Sequence, residues 1–242
     1  MSILKKFSLV LFCLWLSTLL VCHAEQNRPG GRLFRYRITS RGFGVGELKT
    51  VISPMQHPGG RAVRFESDLA INANLLLFKV ASRSRDDAVI SEHGTLSYRR
   101  HGQDNGRSLT VDAALEGGVF RFKVNDNGVA RVVAIPRSSY DFTSMDCPET
   151  TMQREGDIME VRLLDLEHAR VVTRKFHWIK SEELDVGGKR LRCRVVDFSD
   201  LNNSCRRWVT NDERGVIIVR QDGKGKGKNY SLRMVSLEDG PG

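Results

Sequence analysis

The chain has 242 residues, with 38 Lys plus Arg against 29 Asp plus Glu, a formal net charge of +9, 40% hydrophobic residues and 28% charged. That balance is globular. It excludes an acidic disordered chain, a collagen-like repeat and a multi-span membrane protein, each of which needs a bias in charge, glycine or apolar run length that is missing here.

Met1 to Ala24 opens with Lys5 and Lys6, runs apolar from Phe7 to Cys22 apart from Ser8, Ser17 and Thr18, and closes with Cys22-His23-Ala24 before Glu25. Basic, then apolar, then small is the order of a secretory signal peptide, so cleavage is expected after Ala24 and the product is expected in the periplasm or outside the cell. A retained anchor is the competing reading, and the apolar stretch is close to the lower limit for spanning, about 17 residues. Val21, not a small residue, precedes Cys22, which argues against lipidation there. The expected mature chain, 25–242, keeps 218 residues and a charge of +7, with no transmembrane span. A chain of that size can bury roughly 70% of its unfolded surface, enough for one exported β domain without a metal or cofactor to hold it.

Cys147, Cys193 and Cys205 remain after cleavage, and an odd count in an exported chain permits one internal disulfide with one thiol left over. Cys193 with Cys205 is the expected pair, because the turn-rich Asp197–Asn203 between them can fold two strands back on each other. A zinc site is not expected, since no close C-x-x-C pair is present.

Period two runs through the mature sequence. Phe34, Tyr36 and Ile38 alternate with Arg35, Arg37 and Thr39; Val63, Phe65, Leu69 and Ile71 oppose Arg64, Glu66 and Asp68; Phe120, Phe122 and Val124 alternate with Arg121 and Lys123; Leu191, Cys193 and Val195 oppose Arg190, Arg192 and Arg194. These are half-buried strands. Turns separate them at Pro58-Gly59-Gly60, Asp104-Asn105-Gly106, Glu116-Gly117-Gly118, Asp126-Asn127-Gly128, Gly187-Gly188, Asp212–Gly215 and Asp222-Gly223, so many neighbouring strands are antiparallel. Helical material is confined to Ser138–Glu155, where Pro148 limits it. Nothing alternates as strand, helix, strand. The expected fold is therefore mainly β, a large curled antiparallel meander forming a half-barrel or open barrel, with a short helical or irregular covering segment and an internal junction near 136–156.

Chemistry is sparse. No histidine stands at metal-ligand or acid/base spacing from a carboxylate, no G-x-S-x-G elbow is present, and Asp165, Glu167, Asp197 and Asp200 read as scattered sheet-edge acids. No catalytic residue and no metal ligand is therefore assigned. Gly223-Lys224-Gly225-Lys226-Gly227-Lys228 lies between two strands and is no P-loop; it reads as a cationic hairpin tip, with Lys224, Lys226 and Lys228 able to meet an anionic lipid or polysaccharide surface. Nucleic acid is not an expected partner, because the aromatics lie on apolar strand faces and not between basic residues. The Arg rows at 35/37, 121/123 and 190/192/194 either form a positive exterior or pair with acids on neighbouring strands.

Tyr36-Arg37-Ile38, Gly44-Val45-Gly46-Glu47-Leu48, Tyr140-Asp141-Phe142-Thr143-Ser144, Trp208, Asp212–Val219 and Tyr230-Ser231-Leu232 together give the chain a pattern that resembles the exported bacterial family known as domain of unknown function 3108. The resemblance spans most of the mature chain. It implies a curled antiparallel sheet like that of periplasmic lipoprotein carriers, whose concave apolar face holds acyl chains, and it transfers no catalytic residue. The lysine tip departs from the family pattern.

Three functions compete on this basis. The first is a non-catalytic binding module whose concave face, lined by Phe34, Tyr36, Phe65, Leu69, Phe120 and Phe122, accepts a lipid, a lipoprotein or another envelope component. The second is a structural or assembly partner in the envelope with a filled sheet. The third is a polysaccharide-acting enzyme, which needs two carboxylates roughly 5 to 9.5 Å apart.

Overall fold

The computed structural model describes residues 30–75, 78–201, 203–225 and 228–240; the expected signal peptide, residues 1–24, lies outside them. The described residues are mostly strand. β1 (Arg32–Ser40), β2 (Phe43–His57), β3 (Gly60–Leu75), β4 (Phe78–Ser91), β5 (Gly94–Asp104), β6 (Arg107–Glu116), β7 (Val119–Asp126) and β8 (Val129–Pro136) form one meander. A crossover follows, with 3-10 turns at Arg137–Ser139 and Pro148–Thr151 and the short β9 (Phe142–Thr143) between them. β10 (Ile158–Asp165), β11 (Arg170–Val186), β12 (Lys189–Ser199), β13 (Asn203–Asp212), β14 (Gly215–Gly225) and β15 (Lys228–Asp239) make the second meander.

All fifteen belong to one sheet, in the order β8-β7-β6-β5-β4-β3-β2-β1-β15-β14-β13-β12-β11-β10-β9. Two wings thus meet at its centre, where β1 pairs antiparallel with β15 from Arg32 opposite Asp239 to Ser40 opposite Tyr230. β9 pairs with β10 in parallel, because the crossover enters along the edge instead of turning back as a hairpin. The Asn-Gly turns work as their chemistry requires: Asn105 (φ 48°) with Gly106 (φ 87°), and Asn127 (φ 51°) with Gly128 (φ 89°), take the positive angles of tight hairpins.

The sheet is open and strongly curled. Register shifts at Arg35/Tyr36 on β1 against β15, Ile38/Thr39 on β1 against β2, Val89/Ile90 on β4, Trp178/Lys180 on β11 and Trp208/Val209 on β13 add the local bend that bulges give. Curling brings distant strands together in three apolar clusters. Leu69 and Ile71 of β3 join Val186 of β11 and Cys193 and Val195 of β12. Phe65, Tyr98, Phe120 and Phe122 of the first wing pack on Leu164, Leu166 and Ala169 at the β10–β11 corner. Met152 of the crossover seats on Val161, Leu163, Phe176, Trp178, Val196 and Phe198. Each large side chain so buried contributes about 1.5 to 3 kcal/mol. The segment 136–156, expected as a junction or cover, runs along the inner side of the second wing, and its Thr143 reaches β5 through a 2.7 Å hydroxyl contact with Thr95.

Candidate functional site

The six residues expected to line a concave binding face do face inward, and none is more than 9% exposed. They divide between two packed clusters, Phe34, Tyr36 and Leu69 in one and Phe65, Phe120 and Phe122 in the other. Phe120 and Phe122 touch each other, with ring centroids 5.2 Å apart. The same curl that hides these side chains from water also brings the opposite wing and the crossover onto them, so the face is occupied by the protein's own side chains.

At the lysine tip, Lys224 is exposed near the end of β14 and Lys228 opens β15, paired with Gly225. Lys226 lies outside the described residues.

Cys147, Cys193 and Cys205 are free thiols, which corrects the Cys193–Cys205 pairing. The reason is register. Cys205 sits opposite Phe198, five residues along β12 from Cys193, a displacement of about 16 Å along a strand, whereas bridged Cα atoms lie within about 7 Å. Burial pushes the Cys147 thiol up to about 12, with Glu149 adding and Arg207 opposing, and pushes Cys193 up to about 11.

Two buried ionic clusters were invisible as motifs. The first holds the crossover. Glu149, 0% exposed, accepts a 2.6 Å hydrogen bond from Nη1 of Arg207 on β13, whose Nε donates to Gln221 Oε1 at 2.9 Å. Arg194, expected on an outward row, is turned inward instead: its Nη1 donates to the carbonyl oxygens of Glu149, Thr150 and Met152, and its guanidinium lies 4.6 Å from the Trp178 ring. Other arginines do meet acids on adjacent strands as expected, Arg35 with Glu238 at 3.3 Å and Arg121 with Glu116 at 3.6 Å.

The second cluster unites residues far apart in sequence. Arg100 on β5 donates from Nη1 to both oxygens of Asp86 on β4, each at 3.1 Å, and its Nη2 lies 3.3 Å from Glu167 Oε1 in the β10–β11 turn. The Tyr98 hydroxyl donates to Asp86 Oδ1 at 3.2 Å. Next to it, Asp165 Oδ1 accepts from the backbone N–H of His168 at 3.0 Å and lies 3.1 Å from its Nδ1. This hairpin turn is buried against the first wing, with Ala169 at φ 51°, whereas its acids read in sequence as sheet-edge residues. Burial raises the Glu167 carboxyl above its ordinary range, opposed by Arg100 and His168 and reinforced by Asp86 and Asp165.

A cleft of about 220 Å³ opens beside this cluster. Its floor includes Ser82, Ser84, Arg100 and Glu167, and its rim Asp104, Arg107, Asp126, Arg131 and His168; Arg83 and Gln103 border it from strands whose alternation turns their side chains to the opposite face. Arg131 Nη2 donates to the His168 carbonyl at 3.2 Å, bridging β8 to the β10–β11 turn across the mouth. Two floor atoms, Ser82 Oγ and Glu167 Oε2, have no hydrogen-bond partner among the described residues. An alternation pattern can place Ser82 and Ser84 on an inner face. It cannot show that a turn more than eighty residues later completes the wall.

Among the described residues no group of three or more His, Cys, Asp or Glu side chains is placed to hold a metal ion, and no helix is long and apolar enough to cross a membrane. No family model matches the sequence, and no curated protein does. Three solved structures are similar. The crystal structure of a beta-barrel-like protein of domain of unknown function DUF1849 from Brucella abortus aligns with a TM-score of 0.61 at 12% identity, covering 88% of this chain and 98% of that one. A protein with a YmcC-like fold from Bacteroides fragilis aligns with a TM-score of 0.38 at 9% identity, covering 88% and 97%. The hypothetical lipoprotein YmcC from Escherichia coli aligns with a TM-score of 0.35 at 11% identity, covering 91% and 93%. The chain therefore shares its fold with a bacterial domain of unknown function; the particular family suggested by Tyr36-Arg37-Ile38 and its companion motifs is not shown by these likenesses.

Proposed function

We propose that the protein is an exported, non-catalytic binding module of the cell envelope, and that its ligand enters the polar cleft between the wings. The observation that carries this reading is the floor of that cleft: two residues that line it, Ser82 and Glu167, each hold a buried oxygen without a hydrogen-bond partner among the described residues, beside a fixed ion cluster. Buried polar atoms are nearly always paired, and leaving one unpaired costs about 1 to 3 kcal/mol, so such atoms on a cleft wall mark a place where a polar guest is stabilised. Export rests on the Lys5-Lys6, apolar and small-residue order of residues 1–24.

Calorimetric titration of the exported chain with polar envelope constituents, N-acetylglucosamine and O-phosphoethanolamine among them, tests the reading. Binding lost in Leu109→Trp, whose indole projects from the inner face of β6 into the cleft, is expected; binding indifferent to that substitution places the ligand elsewhere and overturns the proposal.

A second reading keeps an acyl chain on the face of Phe34, Tyr36, Phe65, Leu69, Phe120 and Phe122. What favours it is that the crossover covering the interior is tied to β12 and β13, beyond its apolar seats, by the polar contacts of Arg194 and Arg207, which one substitution would weaken. Uptake of a fluorescent fatty acid, enhanced in Arg207→Met, is its expected signature; no uptake by either protein excludes it.

A further inference from the structure

Going beyond the cleft reading and independently of it, we infer that one end of the sheet docks on an anionic lipid bilayer, through three neighbouring hairpin tips that carry Arg41 with Phe43, Lys224, and Leu201.

The topology sets these tips side by side. In a meander every second turn lies at the same end, and the registers fix which ones meet. Phe43 on β2 is opposite Ser40 on β1, and Ser40 is opposite Tyr230 on β15. Lys224 on β14 is opposite Asn229 on β15 and, on its other side, opposite Ser204 on β13. Leu201 stands in the connection from β12 to β13, just before that last pair. The Ser40 hydroxyl donates to the Asn229 carbonyl at 2.9 Å and ties the first tip to the second.

Exposure and charge select the partner. Phe43 is 60% exposed and Leu201 101%, although turns ordinarily take glycine, proline or short polar residues. The opposite end keeps that rule: its turns at 58–59, 92–93, 117–118, 187–188 and 213–214 contain no large apolar residue. Arg41 and Lys224 are exposed beside Phe43 and Leu201. Asp200, the one acid on these tips among the described residues, is held by Arg174 at 2.9 Å. A soluble polyanion leaves Phe43 and Leu201 in water, and an apolar partner leaves the cations unanswered. The headgroup region of an anionic bilayer answers both.

Arg41 adds a backbone argument. The tight turns at 105–106 and 127–128 place Asn at positive φ before Gly, whereas here Arg41, at φ 51°, precedes Gly42, at φ 85°. Asparagine tolerates that conformation better than a long side chain does, so this turn keeps a charge at a position where its own geometry favours asparagine. The cleft opens at the same end, because Asp104, Asp126 and His168 lie at the β5–β6, β7–β8 and β10–β11 turns. Docking therefore holds its mouth beside the bilayer.

Flotation of the exported chain with vesicles tests this. Phosphatidylglycerol–phosphatidylcholine vesicles are expected to bind about tenfold or more tightly than pure phosphatidylcholine vesicles, and less tightly as salt rises. Arg41→Asn and Lys224→Gln are each expected to weaken binding about fivefold, with the unfolding midpoint of Arg41→Asn unchanged or higher. Phe43→Ser and Leu201→Ser are each expected to weaken it several-fold while circular dichroism shows an intact sheet. The indole of Leu201→Trp should shift to the blue and be quenched by brominated lipid, and that of Glu213→Trp, at the opposite end, should do neither. Equal affinity for the two kinds of vesicle, or unchanged affinity in the Arg41→Asn, Lys224→Gln double variant, overturns the inference. Binding of dextran sulfate that is indifferent to Phe43→Ser and Leu201→Ser, without binding of vesicles, shows a polyanion site and also overturns it. Leu109→Trp should leave vesicle binding intact, so loss of cleft ligands alone counts against the cleft reading, and absence of vesicle binding alone counts against docking.

Discussion

Arg207 and Glu149 form a pair whose removal has a calculable asymmetry. Breaking it from one side with Arg207→Met leaves the Glu149 carboxylate buried without its cation, and urea unfolding is expected to show a loss of about 3 to 5 kcal/mol. Removing both charges, with Arg207→Met and Glu149→Leu together, is expected to recover most of that loss, since apolar replacement of a buried pair is often near neutral. Glu167 carries a pH signature. Its carboxyl is raised by burial, so the folded state holds the proton more tightly than the unfolded chain does. The stability this confers is complete below the ordinary carboxylate value, about 4.3, and is lost as pH climbs through the raised one. Glu167→Gln lacks that loss, so unfolding midpoints across pH 4 to 8 should shift steadily in favour of the variant; a constant difference would show that Arg100 and His168 compensate the charge fully. Cys147 and Cys193, whose thiols are pushed up by burial, are expected to resist iodoacetamide in the native protein, and mass spectrometry after unfolding should count three alkylations in the chain from Glu25 onward. One alkylation would reveal a disulfide. At this scale the sequence was least informative: Asp86, Arg100 and Glu167 come from two strands and a distant turn, and only closure of the wings turns three scattered charges into one cluster.

Strands are where sequence and structure agree best, and the reason is the period. Phe120, Phe122 and Val124 alternate with exposed Arg121 and Lys123 on β7 as their spacing requires, because one side of the sheet is covered and the other is wet. Turns at Asn105-Gly106 and Asn127-Gly128 fixed the hairpins for the same local reason. Pairing between specific side chains on adjacent strands was not legible, since it depends on register, and the Cys193–Cys205 expectation failed on that point. Register also gives a sharp test. A Cβ added at Gly46 would collide with the Ala70 carbonyl oxygen, forcing β2 away from β3, while one added at Gly44 meets nothing within 4 Å. Gly46→Ala is expected to cost about 1 to 3 kcal/mol and Gly44→Ala to stay within about 0.5 kcal/mol, as measured by denaturant midpoints. Equal effects would mean that the strands accommodate the methyl by sliding.

For the whole molecule, the expectation of a curled, mainly β sheet is met, while the apolar residues expected to line its concave side pack against the sheet's own far wing. Amphipathic strands announce that a face must be hidden; they do not announce what hides it. The ends of the described chain are neighbours, with the Gly240 N–H donating to the Gly31 carbonyl at 2.6 Å. Joining them through a short glycine linker and opening the chain between Gly117 and Gly118 is expected to give a folded permutant with an unfolding midpoint within a few degrees of the parent. Failure to fold would show that the order of synthesis matters.

That β1 and β15 are partners has a temporal meaning. A polypeptide emerging from its N-terminus can zip β1 to β8 hairpin by hairpin, yet the free border of β1 stays unsatisfied until nearly all of the remaining residues have appeared. Completion is thereby postponed to the final strand, so the seam keeps the molecule unlocked until its last residues are in place.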